Sequence, residues 1–153
     1  IDPETLTVPG SYALLEMLTK RGVMLYLASG TDEAHVLREA RLLGVDRFFG
    51  NRIHGAQRDY KSFSKKMVIE RILRENRLSG ARLLGFGDGY VEIENVAEAG
   101  GFAVGVASDE TRREGIDEWK RERLIGAGAN LIIGDYRDIP ALEDALFPKA
   151  IGA

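Results

Sequence analysis

Short apolar runs alternate with amphipathic stretches along most of the chain. Residues 23–28 (VMLYLA), 83–86 (LLGF), 102–107 (FAVGVA) and 130–133 (NLII) carry no charge. Uninterrupted runs of that length fit strands covered on both faces rather than strands with one wet side. Between them, apolar residues recur at helical spacing. Leu14, Leu15, Met17 and Leu18 form one face of a helix opened by Ser11 and stopped by Lys20, Arg21 and Gly22. Residues 32–43 read as a second helix, with Thr31 as N-cap, acids in the first turn and Gly44 at the end. Phe48, Phe49 and residues 52–54 suggest an edge strand, and residues 55–63 a polar loop. Ser62 or Ser64 then opens a helix to about Asn76, whose core face is Met67, Val68, Ile69, Ile72 and Leu73. Another helix runs from Gly89 to Gly100-Gly101. After the third run come a charged loop (108–115), a helix over 116–127 containing Trp119, and a last helix over 140–146. Strands and helices alternate at spacings suited to right-handed crossovers. The expected class is α/β, a Rossmann-like three-layer sandwich on a mostly parallel sheet.

Length and composition narrow the field without naming a function. The 153 residues fit a single domain. A net charge of −3 and a pI near 5.5 offer no basic footprint for nucleic acid. No apolar run approaches the roughly 20 residues that cross a bilayer, so neither nucleic acid nor membrane is expected as a partner. There is no cysteine, which excludes disulfides and thiolate metal sites and is compatible with a cytoplasmic setting. The sequence begins at Ile1 without an initiator methionine, as expected of a piece of something longer.

Three polar groupings sit where a strand gives way to a helix, the edge at which open α/β sheets bind ligands. Ser29-Gly30-Thr31 follows the first run; a hydroxyl, free backbone N–H groups and a helix N-terminus there suit a phosphate, although Ser29 and Thr31 would also serve simply as caps. Lys61, Lys65 and Lys66 lie before or within the first turn of a helix, where cations oppose the helix dipole unless an anion balances them. Gly87-Asp88-Gly89 places a carboxylate between two glycines, and Glu92 follows one helical turn later. Two carboxylates without cysteine or a neighbouring histidine favour a hard cation, Mg²⁺ above Zn²⁺. Glu94 falls on another side of the helix. His35 and His54 read as structural or exposed.

In that order, these groups resemble the haloacid dehalogenase-like (HAD) superfamily of phosphohydrolases. LYLASGT is similar to the family's second motif, one of Lys65 or Lys61 to its third, and GFGDGYVEIENVAEAGG followed by FAVGVA to its fourth and the strand after it. The resemblance implies a Mg²⁺-dependent phosphatase of a small phosphorylated metabolite. Ser29 with Gly30 and Thr31 would bind the phosphoryl group. The lysine would neutralise charge, Asp88 would ligate the metal, and Glu92 would anchor it directly or through water.

The family's first motif, an Asp-x-Asp at the end of an early strand that supplies nucleophile and acid/base, has no counterpart here. Asp2 follows no strand, and Asp135 and Asp138 are wrongly spaced and come last. The resemblance therefore implies the C-terminal part of a core domain. Its first, central strand and cap would come from an upstream segment of the same protein, which is the expected partner of this chain beside the metabolite. The alternative is a non-catalytic phosphate- or phosphosugar-binding module of a larger polypeptide.

Overall fold

The computed structural model describes residues 7–56 and 64–149. Lys61, one of the two lysine candidates, and Asp2 lie outside the described residues. Among the described residues, five strands form two parallel sheets. β1 (Leu27–Asp32) pairs with β2 (Ile53–Ala56), and β3 (Leu84–Gly87), β4 (Phe102–Val106) and β5 (Leu131–Ile133) pair in that order.

The helices fall into two layers. α1 (Ser11–Lys20), α2 (Glu33–Leu43), the single turn α3 (Asp46–Phe49) and α7 (Ile139–Leu146) cover one face; α4 (Lys65–Glu75), α5 (Tyr90–Glu98) and α6 (Glu118–Ala127) cover the other. Strand alternation divides the apolar residues between them. Leu84, Phe86, Leu131 and Ile133 pack with Leu14, Leu18, Val36 and Leu142 on the first face. Leu83, Ala103 and Ile132 pack with Ile93, Val96 and Leu124 on the second. Ile93 and Leu124 are fully enclosed, and the core is densest around β4, which has a strand on each side.

No ladder joins β1 to β3. Yet Leu27 of β1 and Leu84 and Phe86 of β3 lean on the same core cluster. No residue of β1 or β3 is fully buried, whereas four of the five in β4 are. α4 packs on β1 and on α5 but has no fully buried side chain of its own, although Ile69, Ile72 and Leu73 share one face. The expected three-layer sandwich is therefore present, split where one central strand would run.

The split also corrects the element boundaries. The strand expected over 23–28 begins only at Leu27, because the ladder to β2 starts with the Leu27 N–H to the Arg52 carbonyl (2.9 Å) and residues 23–26 pair with no strand among the described residues. It continues through Ser29-Gly30-Thr31 to Asp32. Asp32, not Thr31, caps α2, accepting from the His35 N–H at 3.3 Å. Phe48 and Phe49 are helical rather than part of an edge strand, and β2 starts at Ile53. Asp117 caps α6, which starts two residues later than expected.

Candidate functional site

The carboxyl end of β3 is shaped by two glycines. At Gly87 a Cβ would stand 2.6 Å from Glu92 Oε2 and 3.1 Å from Glu92 Cβ. Only glycine lets the first turn of α5 fold its Glu92 side chain back over the strand end. Gly89 is the N-cap of α5 and offers no side chain to that turn, and Asp88 between the glycines is exposed. Glu92 meets Lys65, the first residue of α4, in a direct ion pair in which both side chains are about three-quarters buried. Ser64 fixes the lysine's position by accepting from the Met67 N–H (3.1 Å) as the cap of α4. The anion that offsets a lysine at this helix start is thus Glu92 itself.

Asp88 and Glu92 also line a cavity of about 510 Å³ at the carboxyl ends of the three-stranded sheet. Its floor is Phe86 and Tyr136, whose rings meet edge to face with centroids 6.0 Å apart. Burial, and secondarily the charge of Asp88, pushes the Tyr136 phenol up to about 12. The phenol is consequently a neutral donor across the working pH range. One wall is the segment Thr7–Pro9, bound to the floor by the Tyr136 N–H to the Pro9 carbonyl (2.8 Å). Gly10 makes that approach possible: it has φ 87°, and a Cβ there would lie 2.3 Å from the Tyr136 carbonyl carbon. The other wall is the loop after β4, with Asp109 and Arg113. At the rim, burial raises the Asp135 carboxyl, but hydrogen bonds from Arg137 (2.7 and 3.0 Å from its guanidinium) outweigh it and leave the acid below the ordinary range.

Ser29, Gly30 and Thr31 end up elsewhere along the same edge. They belong to β1, across the unpaired gap, and do not line the cavity. The Thr31 N–H donates to Ser29 Oγ (3.2 Å), closing the Ser-Gly-Thr turn on itself. The structure therefore joins Lys65, Glu92 and Asp88 and leaves the Ser29 group on the far bank. His54 stacks on Tyr26 (6.1 Å) and His35 pairs with Glu39 (3.1 Å), consistent with structural roles. Among the described residues no three acidic, histidine or cysteine side chains converge as a ligand set. Asp88 offers one uncommitted hard oxygen donor. That suits Mg²⁺, which is usually held by one or two carboxylates and completes its shell with water and phosphate.

The sequence family of haloacid dehalogenase-like hydrolases matches residues 2–100. The chain belongs to that family. The solved structures agree on its fold. A conserved HAD-like protein of unknown function from Agrobacterium tumefaciens superposes with a TM-score of 0.74 at 18% identity, over 91% of this chain and 60% of that one. A β-phosphoglucomutase from Clostridium difficile gives 0.63 at 16% identity over 90% and 55%. A predicted phosphoglycolate phosphatase from Haemophilus somnus gives 0.68 at 20% identity over 88% and 56%. This HAD-like chain thus spans less than two-thirds of the length of these proteins. No curated protein matches its sequence.

Tyr136 and Arg113 are among the residues of the cavity that the sequence reading did not single out. Both stand in loops after strands, at the ligand edge of the sheet, and that position was the available signal. Nothing in their local sequence marks them, because their place depends on how β4 and β5 end relative to Asp88.

Proposed function

We infer that this chain carries the phosphate- and metal-holding half of a Mg²⁺-dependent phosphomonoester hydrolase acting on a small phosphorylated metabolite. The observation that carries the reading is Lys65, Glu92 and Asp88 meeting at one strand end, in the order and spacing of a HAD-like hydrolase. Asp88 would hold Mg²⁺, with Glu92 as its support, and the ion would neutralise charge on the phosphoryl oxygens as the ester is displaced. Pairing with Glu92 would hold the Lys65 ammonium near the strand end for an incoming anion, with less rotamer freedom to lose. Ser29 Oγ and the amides of Gly30 and Thr31 would receive the phosphoryl oxygens from the opposite bank. The carboxylate that attacks phosphorus, forming an aspartyl-phosphate before water releases it, would come from outside this chain, on a strand between β1 and β3. Two unpaired parallel edges over one shared core favour that placement.

The test has two parts. The 153-residue chain with Mg²⁺ should hydrolyse p-nitrophenyl phosphate no faster than background. The same chain should bind inorganic phosphate in a Mg²⁺-dependent manner, seen as amide shifts at Gly87–Gly89, and Asp88→Asn should abolish the dependence. Phosphate binding that ignores both Mg²⁺ and Asp88 would overturn the reading. A non-catalytic phosphate- or phosphosugar-binding module is the second reading, favoured by the absence of an Asp-x-Asp in the sequence. It predicts that supplying the missing strand restores no turnover.

A further inference from the structure

Two groups in the cavity lining make no hydrogen bond within the described residues, and one is an acceptor, the other a donor. Asp88 is the acceptor. The other acids of the lining are engaged: Glu92 with Lys65, Asp109 with the N–H groups of Thr111 (3.1 Å) and Arg112 (2.9 Å), Glu110 with Lys120 (3.5 Å), and Asp135 with Arg137 (2.7 Å). Asp88 has neither an ion pair nor a hydrogen bond among the described residues, and it stands exposed between Gly87 and Gly89.

Tyr136 is the donor. Its ring meets Phe86 edge to face (6.0 Å), its N–H donates to the Pro9 carbonyl (2.8 Å), and Gly10 closes against its carbonyl. The side chain is thereby fixed at the cavity floor, but its hydroxyl has no hydrogen-bond partner among the described residues. No buried side-chain nitrogen or oxygen there lacks a partner. The hydroxyl is therefore not sealed in with its ring but opens to solvent on the residue's free side, where the charge of Asp88 reaches it.

A neutral donor beside a metal-holding carboxylate has a particular use. No partner fixes the Asp88 rotamer, so ordering this side chain opposes the binding of a cation. A guanidinium or an ammonium would order it but would also offset the charge that attracts the cation. A phenol orders the carboxylate and leaves its charge intact. Since the Tyr136 phenol is pushed up to about 12, it keeps its proton at any working pH. Hydrogen-bond partners one step behind a ligand atom commonly change metal affinity by roughly 10–100-fold.

We propose that Tyr136 is a positioning residue for the cation at Asp88, its hydroxyl holding, through one bridging water, the carboxylate oxygen that the cation leaves free. This rests on the reading of Asp88 as the Mg²⁺ ligand. The test titrates Mg²⁺ into the 153-residue chain and follows the Gly87–Gly89 amides. Tyr136→Phe keeps the ring and removes only the oxygen. Its Mg²⁺ dissociation constant should rise about tenfold, with the amide shifts of β4 and α6 unchanged. A second measurement needs no variant at this position: in the chain labelled at tyrosine Cζ, the Tyr136 signal should move on saturation with Mg²⁺ and stay still in Asp88→Asn. A tyrosine that merely packs the floor would show neither effect. An unchanged dissociation constant in Tyr136→Phe, or a Tyr136 Cζ signal that ignores Mg²⁺, overturns the proposal, while Asp88-dependent Mg²⁺ binding by the native chain keeps the reading beneath it. If Mg²⁺ leaves the Gly87–Gly89 amides of the native chain unmoved, both fall.

Discussion

Tyr136 ties the acid–base behaviour of the cavity to the stability of the chain. Its phenol ionises near 12 in the folded protein, against about 10 in an unfolded chain, because burial and the neighbouring Asp88 disfavour the phenolate. A raised phenol pKa contributes stability that is complete below about pH 10. It is lost between 10 and 12, where the unfolded chain releases the proton first. Two units correspond to at most about 3 kcal/mol. Urea titrations should therefore show a fall in stability above pH 10 that is shallower in Tyr136→Phe, and in Asp88→Asn the fall should begin at the same pH but end slightly lower and be smaller. An identical alkaline slope in native chain and Tyr136→Phe would show that the phenol is not held in this way. Gly87 makes a second prediction at this scale. The Cβ of Gly87→Ala would push against the Glu92 carboxylate, the flexible end of a side chain, so the stability cost should be only about 1 kcal/mol. The larger effect should be displacement of Glu92 from Lys65, read as a changed Lys65 Nζ signal and weaker phosphate binding. The placing of Asp88 and Glu92, and of Lys65 as one of two lysine candidates, at a strand end was legible in the sequence because each rests on a local rule: glycines flanking an acid, one helical turn to the next acid, a lysine behind a serine cap. Arg113 and Tyr136 were not, since no short-range rule reports where two separate loops meet.

At the level of elements, the longer helices were legible, whereas the short turn α3 and several strand ends were not. Helix periodicity and caps are local, and α1, α4, α5 and α7 appear within a residue or two of where the apolar spacing put them. A strand exists only as far as a neighbour pairs with it. Residues 23–26 are as apolar as residues 102–107, but the latter lie between two strands and the former pair with none. Hydrophobicity alone does not carry that difference. The same asymmetry should be visible in amide exchange. β4 is paired on both edges and its last four residues are buried, whereas β1 and β3 are each paired on one. Exchange rates at Ala103–Val106 should be at least about a hundredfold slower than at the unpaired edges of β1 and β3, reflecting local opening of much lower free energy there. Uniform protection across β1, β3 and β4 would mean that the two sheets are joined in solution.

For the whole molecule, the split sheet would link stability to the proposed activity. Leu27, Leu84 and Phe86 share one core yet are only partly buried, and α4, which packs on β1 and α5, keeps Ile69, Ile72 and Leu73 only partly covered. A strand placed between β1 and β3 would satisfy both free edges and complete the burial of these side chains. Partial burial of a few large apolar groups contributes about 2–4 kcal/mol. In a domain of this size that raises the melting temperature by roughly 5–15 °C. The same strand would set its own carboxyl end between Ser29 on one bank and Asp88 and Lys65 on the other, where the reading of this chain needs a nucleophile. A version extended at its N-terminal side by an apolar strand ending in Asp-x-Asp should therefore melt higher and bind less of a hydrophobic dye. It should also gain Mg²⁺-dependent turnover of p-nitrophenyl phosphate. Replacing the first aspartate of that strand by asparagine should remove the turnover and keep the added stability, because packing and backbone pairing do not need the charge. Stability gained without turnover would favour the binding module, and neither gain would mean that the edges of β1 and β3 do not accept a strand.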